Sequence, residues 1–191
     1  MRRGVTLMEM LISVGLLGIL LGAVLFLYLV GGRAIAQGDV RSDLMRDLQV
    51  TSMKLTQEIE TSCYAGLSVG AGGVAVLSAV PAGGGSPGLG PDGSVIWAKY
   101  VVFWHDAGTA VVKRQEYPIT PTTSGQPIEM WEGKTLADYQ TGGTVIGRNI
   151  TGLTFEVPPG STRLKAILTG QRLLKGKPHR LDMSFTLRLK N

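Results

Sequence analysis

Gly4-Val5-Thr6-Leu7-Met8-Glu9 leads into a run, Met10 to Gly32, of 23 residues without a charged side chain. At ~1.5 Å rise per residue, a helix of that length crosses a ~30 Å hydrocarbon layer. Arg2 and Arg3 precede it and favour a cytoplasmic N-terminus, with the rest of the chain on the far side of the membrane. Glu9 is the only carboxylate before Asp39. Placed at the head of an apolar helix, it is costly unless it reaches water or a partner.

Three readings fit this start. A cleaved secretory signal has Ala34-Ile35-Ala36 before Gln37 in its favour. Its apolar region is longer than the usual ~7–15 residues, however, and Glu9 interrupts its start. A plain transmembrane anchor explains length and orientation but gives Glu9 no task. In the third reading, Gly4-Val5-Thr6-Leu7-Met8-Glu9 and the apolar run after it resemble the class III signal of type IV pilins and type II secretion pseudopilins.

That resemblance implies cleavage between Gly4 and Val5 by a prepilin peptidase, with N-methylation at Val5. The family usually has phenylalanine at the first mature position, so Val5 is a tolerated departure. Thr6, Leu7 and Glu9 match the pattern, and residues 1–4 form the short basic leader. The resemblance also implies that Glu9 pairs with the N-terminal amine of a neighbouring subunit. A buried carboxylate without a partner destabilises, and with one it sets register.

Residues 5–32 are expected to form the transmembrane or filament-core helix. Gly15, Gly18 and Gly22 would let neighbouring helices approach closely. Residues 33–62 carry Val40, Leu44, Leu48, Leu55 and Ile59 at helical spacing, so an amphipathic half should follow. No proline lies between Met1 and Val80, which predicts one helix from about Thr6 to Ser62, with Gly31-Gly32 and Gly38 as places to bend. Gly66 is the expected C-terminal cap.

Residues 63–191 read as an antiparallel β domain, giving an α+β fold with the long helix packed on the sheet. Expected strands are Val74–Val80, Val95–Asp106, Thr109–Tyr117, Val145–Val157, Arg163–Thr169 and Leu181–Leu189. The near-continuous apolar character of Val95–Asp106 suggests a central strand covered on both faces. A glycine-rich loop spans 81–94. Pro118 to Gly143 is expected to be irregular, with Met130-Trp131 as its anchor, and Gly170–Arg180 is expected to be a basic loop. The hairpin at Tyr100–Arg114, the strand Ile150–Val157 and the terminal Leu187-Arg188-Leu189-Lys190-Asn191 are similar to those of a J-type minor pseudopilin or a W-type minor pilin. That resemblance implies assembly with other minor subunits and the major subunit, at an inner-membrane assembly platform, in a tip or initiation complex.

The net charge of +5 arises after residue 62, because residues 1–62 hold six basic and six acidic side chains. Arg163–Lys190 holds eight basic residues against Asp182 alone. A solvated face is the plainer explanation, and no nucleic-acid motif accompanies the charge. Cys63 is the single cysteine, so no intrachain disulfide can form. The glycines of 81–94 are not followed by Gly-Lys-Ser/Thr, so they do not make a phosphate loop. His105 and His179, Glu129 and Glu132, and Asp92, Asp106 and Asp138 form no catalytic, metal or calcium pattern. No enzyme activity and no cofactor are expected. The rivals are a membrane-anchored periplasmic ligand-binding module or enzyme, and a DNA-uptake pseudopilin using the basic stretch.

Overall fold

The computed structural model describes residues 6–70, 72–81, 84–119 and 125–189. The expected leader 1–4, the Gly4–Val5 junction and residues 190–191 lie outside them. The chain divides into two compact units, Met1–Ser42 and Asp43–Asn191. A single helix, α1, runs Leu7–Ile59. Its helical assignment passes through Gly31-Gly32 and Gly38 without a break.

In the first unit α1 is apolar all round from Met10 to Gly32 and then carries Arg33, Asp39 and Arg41. It holds the one stretch among the described residues long and apolar enough to cross a membrane, with a mean hydropathy of 2.7 and none of it buried. In the second unit the helix buries one stripe, Leu44, Leu48, Thr51, Leu55 and Ile59. Thr51 sits in that stripe because its Oγ1 donates to Asp47 O at 2.7 Å, which satisfies the hydroxyl locally.

The rest of the second unit is antiparallel β structure in an α+β fold. Among the described residues the strands are β1 (Ser68–Gly70), β2 (Gly73–Ser78), β3 (Gly88–Leu89), β4 (Val95–Ile96), β5 (Lys99–Asp106), β6 (Val111–Pro118), β7 (Thr144–Arg148), β8 (Ile150–Glu156), β9 (Arg163–Leu174) and β10 (Lys177–Arg188). They form a five-stranded sheet ordered β1-β2-β5-β6-β7, a three-stranded sheet β10-β9-β8 and the small pair β3-β4. Leu48, Leu55 and Ile59 of α1 share one core with Val74, Val76, Val101, Phe103, Ile150, Leu153, Leu164, Leu168 and Leu187 from both larger sheets. The opposite face of β2 and β5 packs Ala75, Leu77, Tyr100, Val102 and Trp104 against Ile128, Leu136 and Tyr139, with Cys63 buried among them. Strands β2 and β5 are thus apolar on both faces because both faces are covered.

Several expected boundaries move. The helix ends at Ile59 rather than Ser62, and Gly66 does not cap it. Gly66 closes a short 3-10 turn, Tyr64–Gly66, and a methyl group there would collide with Leu77. Val95–Asp106 breaks at Trp97-Ala98, so β4 pairs with β3 inside the glycine-rich 81–94 neighbourhood while β5 joins the main sheet. Val145–Val157 is two strands in different sheets. Asn149, with φ of 58°, turns the chain between β7 and β8, and asparagine tolerates that left-handed geometry better than most residues. Its Nδ2 donates to Asp47 Oδ2 at 2.7 Å, which ties the corner to α1. Pro118–Gly143 contains 3-10 turns at Ile128–Met130 and Leu136–Tyr139. Met130 is exposed, and Trp131 anchors the segment instead, with its ring 5.4 Å from that of Tyr100.

The largest correction concerns Gly170–Arg180. These residues are not a loop. Strands β9 and β10 continue through them in register, and only Lys175-Gly176 turns the hairpin, both with positive φ. A two-residue turn of that geometry matches the twist of the strands it joins.

Candidate functional site

The head of α1 is held by a reciprocal cap. Thr6 N donates to Glu9 Oε2 at 3.0 Å, and Thr6 Oγ1 donates to the same oxygen at 3.1 Å. In return Glu9 N donates to Thr6 Oγ1 at 3.3 Å. This is a capping box, in which residues three apart satisfy each other's orphaned helix-end groups. Ser13 Oγ donates to Glu9 O at 2.8 Å one turn further on. The sequence reading assigned Glu9 only to a partner and missed this local task. The signal was present, since Thr6-Leu7-Met8-Glu9 is the Thr-x-x-Glu spacing that marks a helix start.

The cap uses one carboxylate oxygen. Both donors that Oε2 receives belong to Thr6, so a cut before Val5 leaves them in place. The Gly4–Val5 junction and Val5 itself lie outside the described residues. Leu7 is 81% exposed, and it heads a row of large apolar side chains reaching to Leu29, none less than 53% exposed. A methyl group added at Gly15, Gly18 or Gly22 would meet nothing within 4 Å. These three glycines recur three and four residues apart, which places them on one face of the helix. The surface is therefore continuous, apolar, smooth along the glycine face and uncovered.

The β domain carries no comparable chemical cluster. Among the described residues no three His, Cys, Asp or Glu side chains group to hold a metal ion. His105 and His179 sit on different sheets. His105 Nε2 lies 2.8 Å from Ile150 O, bridging β5 to the start of β8. The densest charged group is a network of ion pairs within the fold. Lys99, only 4% exposed, donates to Glu116 Oε1 at 2.8 Å, and Arg114 reaches the same oxygen at 2.6 Å. Burial pushes the Glu116 carboxyl up, but hydrogen bonds from Lys99 and Arg114 outweigh it and hold the group below the usual glutamate range. An open groove of about 530 Å³ runs between Val50, Met53 and Gln57 of α1 and Phe185 of β10, without a titratable pair that could do acid–base work.

The first unit offers an apolar helix that can insert or pack, and the second is a folded α+β body. No family model, no curated protein and no solved structure matches this chain.

Proposed function

We propose that this chain is an accessory pilin-like subunit, a minor pseudopilin or minor pilin. It enters the inner membrane through the first half of α1, is cut after Gly4 and methylated at Val5, and is then drawn into a type II secretion pseudopilus or a type IV pilus. The β domain lies on the periplasmic side and contacts other minor subunits and the major subunit, in a tip or initiation complex. Its work is assembly and protein transport rather than catalysis.

One observation carries the reading. A single helix is apolar and uncovered over a membrane-length stretch in its first unit and buries a single stripe in its second. An uncovered apolar surface of that size marks a membrane or protein interface. The same helix would serve both settings in turn, lipid before extraction and neighbouring helices afterwards. The capped Glu9 fits this reading because a carboxylate using Oε2 for its own helix retains Oε1 for a cation brought by a neighbour.

N-terminal mass spectrometry of the protein purified from membranes tests the proposal. A mature chain beginning at methylated Val5 supports it. Retention of Met1, or a start at Gln37, sinks it.

A further inference from the structure

Beyond Gly170 on β9 and Leu181 on β10, the hairpin leaves the core. Up to that point the inner face of β9 is Leu164, Ala166, Leu168 and Gly170, all buried. Gly170 packs so closely on Leu44 that a methyl group there would overlap it. The next four paired positions, Gln171–Leu174 against Lys177–Arg180, add ~13 Å of ribbon with no buried residue. This tip carries Arg172, Lys175, Lys177 and Arg180 and no acidic residue. Arg172 reaches Asp43 at 2.6 Å and Arg180 reaches Asp182 at 3.2 Å. Lys175 and Lys177 have no carboxylate partner among the described residues. Leu173 stands among these cations at 65% exposure, across from exposed Pro178.

We infer that the β9–β10 tip is a docking surface for the anionic lipid headgroups of the membrane that holds α1. The inference rests on the membrane half of the proposed function. Cations interleaved with an exposed leucine suit the headgroup boundary, where ammonium groups meet phosphates and an aliphatic side chain leaves water. A nucleic-acid surface would be better served by Phe, Tyr or Trp side chains for stacking, and residues 171–180 contain none of them. The chain also supplies the proximity. Its apolar run ends at Gly32, and only the ten residues 33–42 separate it from the second unit. Even fully extended, ten residues reach no more than ~35 Å. Such a short tether gives a weak basic surface a high effective concentration of lipid. Docking would hold the β domain against the membrane before extraction and release it when the helix is pulled out.

The test uses the full chain in lipid nanodiscs with a nitroxide on Leu173→Cys in a Cys63→Ala background. In discs rich in phosphatidylglycerol the label should be shielded from a water-soluble relaxation agent, and in purely zwitterionic discs it should be open to it. Lys175→Glu with Lys177→Glu should abolish the shielding, at about fivefold in bound population per cation lost. A label at exposed Ser184→Cys should stay water-accessible throughout, with a spectrum unchanged by the charge reversals, which shows that the domain is folded. Equal exposure of the Leu173 label in both lipids overturns the inference, as does shielding that depends on added DNA rather than on anionic lipid. A label at Leu20→Cys reports on the parent reading. If it lies in lipid while the Leu173 label stays wet, the hairpin inference alone fails. If it lies in water, both fall.

Discussion

Arg114 of β6 grips Glu58 of α1 with a two-pronged bond, Nε to Oε1 at 2.6 Å and Nη2 to Oε2 at 2.9 Å. The two residues are 56 positions apart, so the pair fastens the last turn of the helix to the five-stranded sheet. Planar guanidinium and planar carboxylate match, which makes such a fork stronger than a single ammonium contact. Both side chains are less than a third exposed, at 23% and 31%, so water screens the pair only in part.

Arg114→Met should therefore lower the unfolding free energy by ~1–3 kcal/mol, because it strands the Glu58 carboxylate in a half-buried site and leaves Glu116 with Lys99 alone. Glu58→Gln should cost less, since an amide oxygen still accepts from Arg114. Chemical denaturation of the full chain in detergent, run as a double-mutant cycle, measures the coupling. Independent, additive effects would show that the fork contributes nothing.

Acid should loosen the domain in a defined window. Glu116 lies below its ordinary value of 4.5 in the folded state. Hydrogen bonds from Lys113 and Thr109 hold Asp106 down to about 2, against an ordinary 3.8. Both carboxyls bind protons more weakly folded than unfolded, so their contribution is full above about pH 4.5 and drains away as pH falls toward 2. Melting temperatures between those limits should drop steadily, and Glu116→Gln should flatten the upper part of the slope. An unchanged slope in that variant would assign the acid sensitivity elsewhere.

The helix stripe Leu44, Leu48, Leu55 and Ile59 was legible from its spacing, and the α+β layout followed from it. Strands β2 and β5 were legible because unbroken apolar runs need cover on both sides. What covers them was not, since Ile128, Leu136 and Tyr139 reach that face by tertiary packing from a segment without periodicity. The Asn149 corner was hidden because one residue of left-handed backbone leaves no pattern in its neighbours. The strand character of Gly170–Arg180 was not legible, because its two strands outrun the core and lose the apolar face that would mark them. At the candidate site the carboxylate was legible and its cap was overlooked, because the membrane pattern drew the reading away from an ordinary helix-start signal.

At Gly147 of β7 the sheet packs tightly on α1. A methyl group there would run into the Thr51 side chain and lie 2.7 Å from Ile150 Cδ1. Gly147→Ala should cost ~1–3 kcal/mol, because β7 must move off α1 or Thr51 must give up its rotamer. Gly18→Ala, with open space around it, should leave unfolding of the β domain where it is. Equal effects from the two substitutions would mean that contact between β7 and α1 does not set the cost at Gly147.

Glu9 now has two candidate tasks, and three substitutions separate them. Glutamine serves at this position of a capping box as glutamate does, so Glu9→Gln keeps the bonds from Thr6 and removes only the charge. Glu9→Ala removes both. Thr6→Ala weakens the cap and leaves the charge intact. If Glu9 pairs with the amine created at Val5, Gln and Ala should block entry into the filament fraction alike, while Thr6→Ala should be far milder. All three should still yield a chain starting at Val5, read by mass spectrometry, because cleavage precedes pairing. If Glu9→Gln assembles normally and Thr6→Ala does not, the carboxylate works as a helix cap alone and the amine-pairing role is withdrawn.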